Sequence, residues 1–150
     1  PAIPKAVKSF LSDTSSFSPE WSGSILRMLP ESVRGAYPLL REHLRILSAG
    51  ICIGEAKGKD FIPAEELALS TALRPDAFPV ADLDWDDAIR YLKKEALLLP
   101  AGTEKGYVLV RYKKFPLGFT KHLGNRANNL YPQEWRIRTG YIPEQVKTFE

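Results

Sequence analysis

The sequence is poor in the residues that build metal sites, disulfides and thiol active sites. Cys52 is its only cysteine, so no internal disulfide can form. Together with His43 and His122 it falls short of the four ligands of an ordinary structural zinc site, and no metal is expected. A lone thiol suits a reducing compartment and points to the cytoplasm. The longest mostly apolar run, Ile46 to Ile53, is far too short to span a bilayer, and no basic-then-apolar signal opens the chain, so no membrane partner is expected. Methionine is scarce too. The chain begins at Pro1 and Met28 is its only methionine, as expected of a piece of a longer polypeptide.

What is present is ordinary for a folded protein: 150 residues, 44% hydrophobic and 26% charged, enough for one average domain or two very small ones. The net charge of +3 hides an asymmetry. Residues 1–100 carry 12 Lys/Arg against 14 Asp/Glu, whereas residues 101–150 carry 9 against 4. Between Lys105 and Arg138 eight basic residues meet Glu134 alone, and residues 101–150 hold eight of the sixteen aromatics. These are Tyr107, Tyr112, Phe115, Phe119, Tyr131, Trp135, Tyr141 and Phe149. Cations that neutralise phosphate, interleaved with rings that stack on unpaired bases, suit nucleic acid. Strands with rings in the core and lysines on the wet face give the same composition.

The pattern along the chain predicts an α+β protein with a small mixed or antiparallel sheet or pseudo-barrel and flanking short helices. Residues 1–17 read as a linker or the tail of a preceding domain, 18–78 as an intermediate α+β segment and 79–150 as the basic domain. Ser18-Pro19-Glu20 has the form of a helix start, closed by Pro30. One more short helix, or a helix running into a strand, is expected over 38–47, a strand over Ser48 to Ala56 and a helix from Pro63 to the Arg74-Pro75 step. Val80 to Leu83 reads as a strand, with Asp84 capping the next helix. Leu97 to Leu99, Tyr107 to Tyr112 and Phe115 to Lys121 read as strands, the last two a hairpin around Lys113-Lys114. A turn or helix near Arg126 to Leu130 and a strand over Trp135 to Arg138 end the pattern.

Two motifs fail on inspection. Gly54-Glu55-Ala56-Lys57-Gly58-Lys59-Asp60 has three residues between its glycines and no Lys-Ser/Thr, so it is no phosphate loop, although Lys57 and Lys59 can serve as secondary phosphate contacts. Asp82 to Asp87 alternates like a calcium loop, but Asp87 stands where the turn needs glycine and Lys93 where it needs glutamate. Carboxylates at a helix N-terminus account for it better. No Ser/His/Asp or Cys/His set supplies a nucleophile, and Cys52 between Ile51 and Ile53 reads as a small hydrophobe.

The informative stretch runs from Pro116 to Arg138. Alternation in the expected last strand puts Arg136 and Arg138 on one face, about 7 Å apart at roughly 3.3 Å per residue. Asn128 and Asn129 offer amide groups to base edges or ribose, or cap a turn.

The order Gly106-Tyr107-Val108-Leu109-Val110, Pro116-Leu117-Gly118-Phe119, Lys121, Asn128-Asn129-Leu130-Tyr131-Pro132 and Arg136 resembles the PUA-like RNA-binding domain that closes the RsmF-type NOL/NOP/Sun RNA cytosine-5 methyltransferases. Ala49-Gly50-Ile51, Gly54-Glu55, Lys57, Phe61-Ile62-Pro63 and Leu67-Ala68-Leu69-Ser70 are similar to the segment these enzymes place before it, and Ala88-Ile89-Arg90-Tyr91-Leu92 resembles the helix entering it. The chain departs from the family in having neither the glycine-rich S-adenosylmethionine loop nor its two cysteines, and in having Asn128-Asn129 where Lys-Asn is common. The resemblance implies a substrate-targeting fragment that is no enzyme alone and binds no cofactor. Its parent would be an rRNA cytosine-5 methyltransferase using S-adenosylmethionine, and its partners ribosomal RNA and the parent's N-terminal catalytic domain.

On this reading Lys105, Arg111, Lys113, Lys114, Lys121, Arg126, Arg136 and Arg138 neutralise phosphates, while Asn128, Asn129, Phe119 and Tyr131 contact sugars and bases. The rival reading is a protein-interaction module that packs on its own catalytic domain or on a ribosomal protein.

Overall fold

The computed structural model describes residues 3–34, 39 and 50–140. The helix expected over 38–47 lies, apart from Leu39, outside the described residues, as do Tyr141 and Phe149. The chain divides into two compact units, Pro1–Phe78 and Pro79–Glu150, each with one four-stranded sheet. With five short α-helical or 3-10 segments around two mostly antiparallel sheets, the described residues have the α+β architecture that the sequence pattern predicts.

In the first unit, strands β1 (Phe17–Ser22), β2 (Ile25–Pro30), β3 (Ile51–Lys57) and β4 (Asp60–Pro63) pair antiparallel in sequence order. The helix expected from Ser18 to Pro30 is therefore a hairpin. Gly23, at φ 61°, supplies the left-handed residue that a two-residue hairpin loop requires. Pro19 is accommodated because β1 is an edge strand, where a missing N–H need not break a ladder. Leu26 and Met28 alternate into the core at 0% and 1% exposure, the period of a strand and not of a helix.

Gly54 lies inside β3, where a Cβ would collide with the Ile62 carbonyl of β4, so its role is close strand approach. Residues 3–16, expected as a linker, are packed into this unit. Helix α1 (Lys5–Lys8) buries Val7, and Leu11 is buried while bridging to Leu73. That bridge also shortens the helix expected to reach Leu73. Helix α3 (Glu65–Leu69), which follows the short α2 (Glu31–Arg34), stops at Ser70, whose hydroxyl accepts from the Ala72 N–H and turns the chain toward Leu11.

In the second unit, β5 (Val80–Asp82) pairs parallel with β6 (Gly106–Tyr112). β7 (Phe115–His122) and the edge strand β8 (Ala127–Asn129) follow antiparallel. Helix α4 (Trp85–Leu92) makes the β5-to-β6 crossover. Asp84 caps it, its carboxylate accepting from the Asp87 N–H at 2.8 Å. Ala88 and Tyr91, three residues apart on one helix face, pack with Ala81, Leu83, Leu97, Val108, Val110 and Ala127. Removing each large apolar side chain from water contributes ~2 kcal/mol.

The strand expected at Leu97 to Leu99 is reduced to one bridge between Leu97 and Ala127. The turn or short helix expected near 126–130 is instead β8 (Ala127–Asn129). The last expected strand does not form. Pro132 leads into a 3-10 turn (Gln133–Trp135), and residues 136–139 join no ladder; Ile137 N–H donates to the Leu92 carbonyl at the end of α4.

Glu65, at the start of α3, leads to a test of the first unit. One of its carboxylate oxygens is buried without a hydrogen-bond partner, and burial pushes its pKa up to about 8 from an ordinary 4.5. The folded unit thus favours the protonated acid. Its contribution is fully present below the unfolded value and is lost as pH rises toward 8. The E65Q variant should gain melting temperature relative to the parent between about pH 5 and pH 8; a gap that is constant with pH in thermal melts contradicts this.

Candidate nucleic-acid interface

The register of the second sheet decides where the basic side chains go. Tyr107 of β6, Lys121 of β7 and Asn128 of β8 are direct cross-strand partners, so they share one face in a single row. The Lys121 ammonium lies 5.1 Å from the centre of the Tyr107 ring, a cation–π contact that orients both groups. Lys105 precedes this row, and its side chain runs against the backbone of Gly124 in the β7–β8 turn. Arg126 closes that turn, its carbonyl accepting from the Leu123 N–H at 2.8 Å. Lys105, Arg126 and Asn128 are exposed and Lys121 is half-buried.

A second basic group lies at the opposite end of the same hairpin. Lys113 and Lys114 form the two-residue loop between Tyr112 and Phe115, both exposed. From Tyr107 to Tyr112 the ladder spans roughly 17 Å at about 3.3 Å per residue. Arg136 and Arg138 are exposed but not displayed by a strand, so the fixed spacing expected for them is absent.

Four residues expected to meet RNA have other partners. Arg111 makes a bidentate pair with Asp82, Nε and Nη2 each 2.9 Å from a carboxylate oxygen. The hydrogen bonds of that pair hold the Asp82 carboxyl below its ordinary range and raise the guanidinium further. Arg111 is thus already neutralised.

Phe119 is 1% exposed and offers no ring face to a base; its carbonyl accepts from the buried Tyr91 hydroxyl at 3.0 Å. Asn129 donates its amide to the carbonyls of Tyr91 and Glu95, each at 2.8 Å, and its Oδ1 accepts from the Tyr131 N–H. It closes the end of α4 instead of reading a base. Tyr131 is half-buried, edge-on to Tyr91 at 5.4 Å and to Trp135 at 6.3 Å.

Lys94 is part of the same closure and carries no signal in the sequence. It adopts φ 62° just past α4, where glycine is usual, and its N–H donates to the Tyr91 carbonyl while Glu95 N–H reaches Arg90. Its ammonium then bonds the carbonyls of Asn129 and Tyr131.

In the first unit, Lys57 and Lys59 flank Gly58 in the β3–β4 turn, both exposed. Cys52 is half-buried and lines a cavity of about 220 Å³ with Ile25, Gly54, Ile62 and Pro63. Burial pushes its thiol up, which keeps it protonated and a poor nucleophile. Gly54 and Gly58 belong to a strand and a hairpin turn, not to a strand-to-helix loop of the kind that cradles a phosphate. Among the described residues no group of three or more His, Cys, Asp or Glu converges as a metal site.

Residues 78–137 match the family described as the methyltransferase RsmF PUA domain. Among curated proteins, "Ribosomal RNA small subunit methyltransferase F" of Shewanella baltica is 32% identical over 110 residues, 70% of this chain and 22% of the relative. The protein of the same name from Shewanella loihica is 33% identical over 92 residues, 61% of this chain and 18% of the relative. The chain spans about a fifth of the length of these relatives.

The placement of Asn129 gives a test. Asn129→Ala leaves two helix-end carbonyls without their side-chain donor and should destabilise the second unit by about 1–3 kcal/mol, read by chemical denaturation. If the asparagine served RNA alone, stability would not change.

Proposed function

We propose that this chain, whose residues 78–137 belong to the RsmF-type PUA-domain family, is the RNA-binding, substrate-targeting part of an S-adenosylmethionine-dependent ribosomal RNA cytosine-5 methyltransferase. The catalytic domain lies outside this chain and holds the cofactor. Ribosomal RNA and that catalytic domain are the partners, and the cytoplasm is the compartment.

One observation carries the reading: the cross-strand row Tyr107–Lys121–Asn128, flanked by Lys105 and Arg126, on the unit that matches an RNA methyltransferase's PUA domain. Lys121 is mounted on the ladder and held against the Tyr107 ring, so less of its side-chain freedom is lost when a phosphate meets it. The ring that Lys121 covers and the Asn128 amide adjoin Lys121 on either side of the row, where ribose and base edges fall if the strand follows the row. Binding chiefly through phosphates positions RNA without reading much sequence. The chemistry is then left to the missing domain.

Replacing Lys105, Lys121 and Arg126 together by alanine should reduce the slope of log K against log salt by roughly 0.7 per lost phosphate contact, so by up to about 2. A titration of ribosomal RNA fragments over a salt series reads this directly. An unchanged slope, or no binding by the parent chain at moderate salt, favours the rival in which the unit packs on protein.

A further inference from the structure

We propose that the tip of the β6–β7 hairpin, Lys113-Lys114-Phe115, is a preformed finger that takes one unpaired base of the RNA. The Phe115 ring stacks on the base and the two ammonium groups meet the flanking phosphates. This rests on the RNA-binding reading above and adds a second contact point, with a substrate class of its own.

The backbone gives the first argument. Lys113 and Lys114 sit at φ 46° and φ 69°, both in the left-handed region, in a two-residue loop framed by the Tyr112–Phe115 pair. Such loops favour Asn-Gly, because positive φ strains residues that carry a Cβ and long side chain. Two lysines here cost stability that Asn-Gly would return. Neither is buried, so their side chains do not offset the strain by filling the core.

The second argument is the ring beside them. Phe115 is 72% exposed, next to two cations, on a strand whose Phe119 is 1% exposed. A ring face with adjacent cations is the pattern that holds unpaired nucleotides, since every base offers a π-face once it leaves its stack. Paired bases hide those faces inside the helix, and the deep, narrow major groove of RNA duplexes does not admit such a tip. The partner is therefore a bulge, loop or single strand.

The tip is also held in place. Tyr112, at its base, packs edge-on against Trp85 of α4 with centroids 5.7 Å apart, and the Lys113 ammonium lies 5.6 Å from the centre of the Tyr112 ring. The carboxylates of Asp82, in β5, and Asp87, in the first turn of α4, are paired with Arg111 and Arg90 at 2.9 Å and 3.7 Å. They oppose an approaching phosphate less than unpaired acids would.

The test compares an RNA hairpin carrying one unpaired adenosine with the same sequence closed into a full duplex, using the whole chain. The parent should prefer the bulged RNA. Phe115→Leu, which keeps an exposed apolar group but removes the ring, should lose roughly fivefold or more of affinity for the bulged RNA and leave duplex binding unchanged. The K113N/K114G variant should melt a few degrees higher, because the strain is relieved, while binding both RNAs more weakly.

A higher melting temperature with undiminished RNA affinity overturns the finger, as does a Phe115→Leu variant that binds the bulged RNA as tightly as the parent; the tip then suits a protein surface instead. In either case the parent still binds RNA, and the broader reading stands. Failure of the parent to bind either RNA overturns both.

Discussion

The end of helix α4 is tied to β8 by side-chain hydrogen bonds from Asn129 and Lys94, and that closure fixes the second unit. Asn129 of β8 donates to the carbonyls of Tyr91 and Glu95, while the Lys94 ammonium returns to the carbonyls of Asn129 and Tyr131. A three-residue edge strand is too short to hold its own register by ladder bonds alone. Tied to the helix end in this way, β8 pairs with β7 so that Asn128 faces Lys121, and the adjacent Asn129 points to the helix. A slip of one residue would exchange the two asparagines and dissolve both the clamp and the row. The buried hydroxyl of Tyr91, bonded to the Phe119 carbonyl, ties the same helix to β7.

Charge in this unit is sorted by what surrounds it. Arg111 has the composition of a phosphate contact, but its guanidinium is taken by Asp82. Lys94 is a cation used as a structural donor. The cations proposed to meet a polyanion are those at the two ends of the hairpin, with the exposed arginines after Pro132 beside them. The basic excess of the last third therefore overstates the number of cations left for the proposed interface.

Much of this fold was legible from local chemistry. The β6–β7 hairpin follows from two β-branched and aromatic runs around a short polar pair, and the Asp84 cap from a carboxylate ahead of an amphipathic stretch. The α+β class and the likeness to RsmF-type PUA domains were legible on the same segments. Other elements were not, for physical reasons. Ser18-Pro19-Glu20 serves equally as a helix start or an edge strand, because both tolerate a proline without its N–H. Phe119 follows the alternation of β7, but Gly118, Phe119 and Thr120 are all buried, so both faces are covered and period two does not say which side meets solvent. The role of Asn129 depends on a helix end thirty-four and thirty-eight residues away in sequence, which no local pattern encodes.

The central claim is that RNA is held by the hairpin and edge strand of the second unit. Amide chemical-shift mapping during titration of the isotope-labelled chain with a ribosomal RNA hairpin tests it most directly. The account predicts perturbations concentrated at Lys105, Tyr107, Lys113 to Phe115, Lys121, Arg126 and Asn128. Perturbations centred on the Lys57 to Lys59 turn of the first unit, or none at saturating RNA, would contradict it.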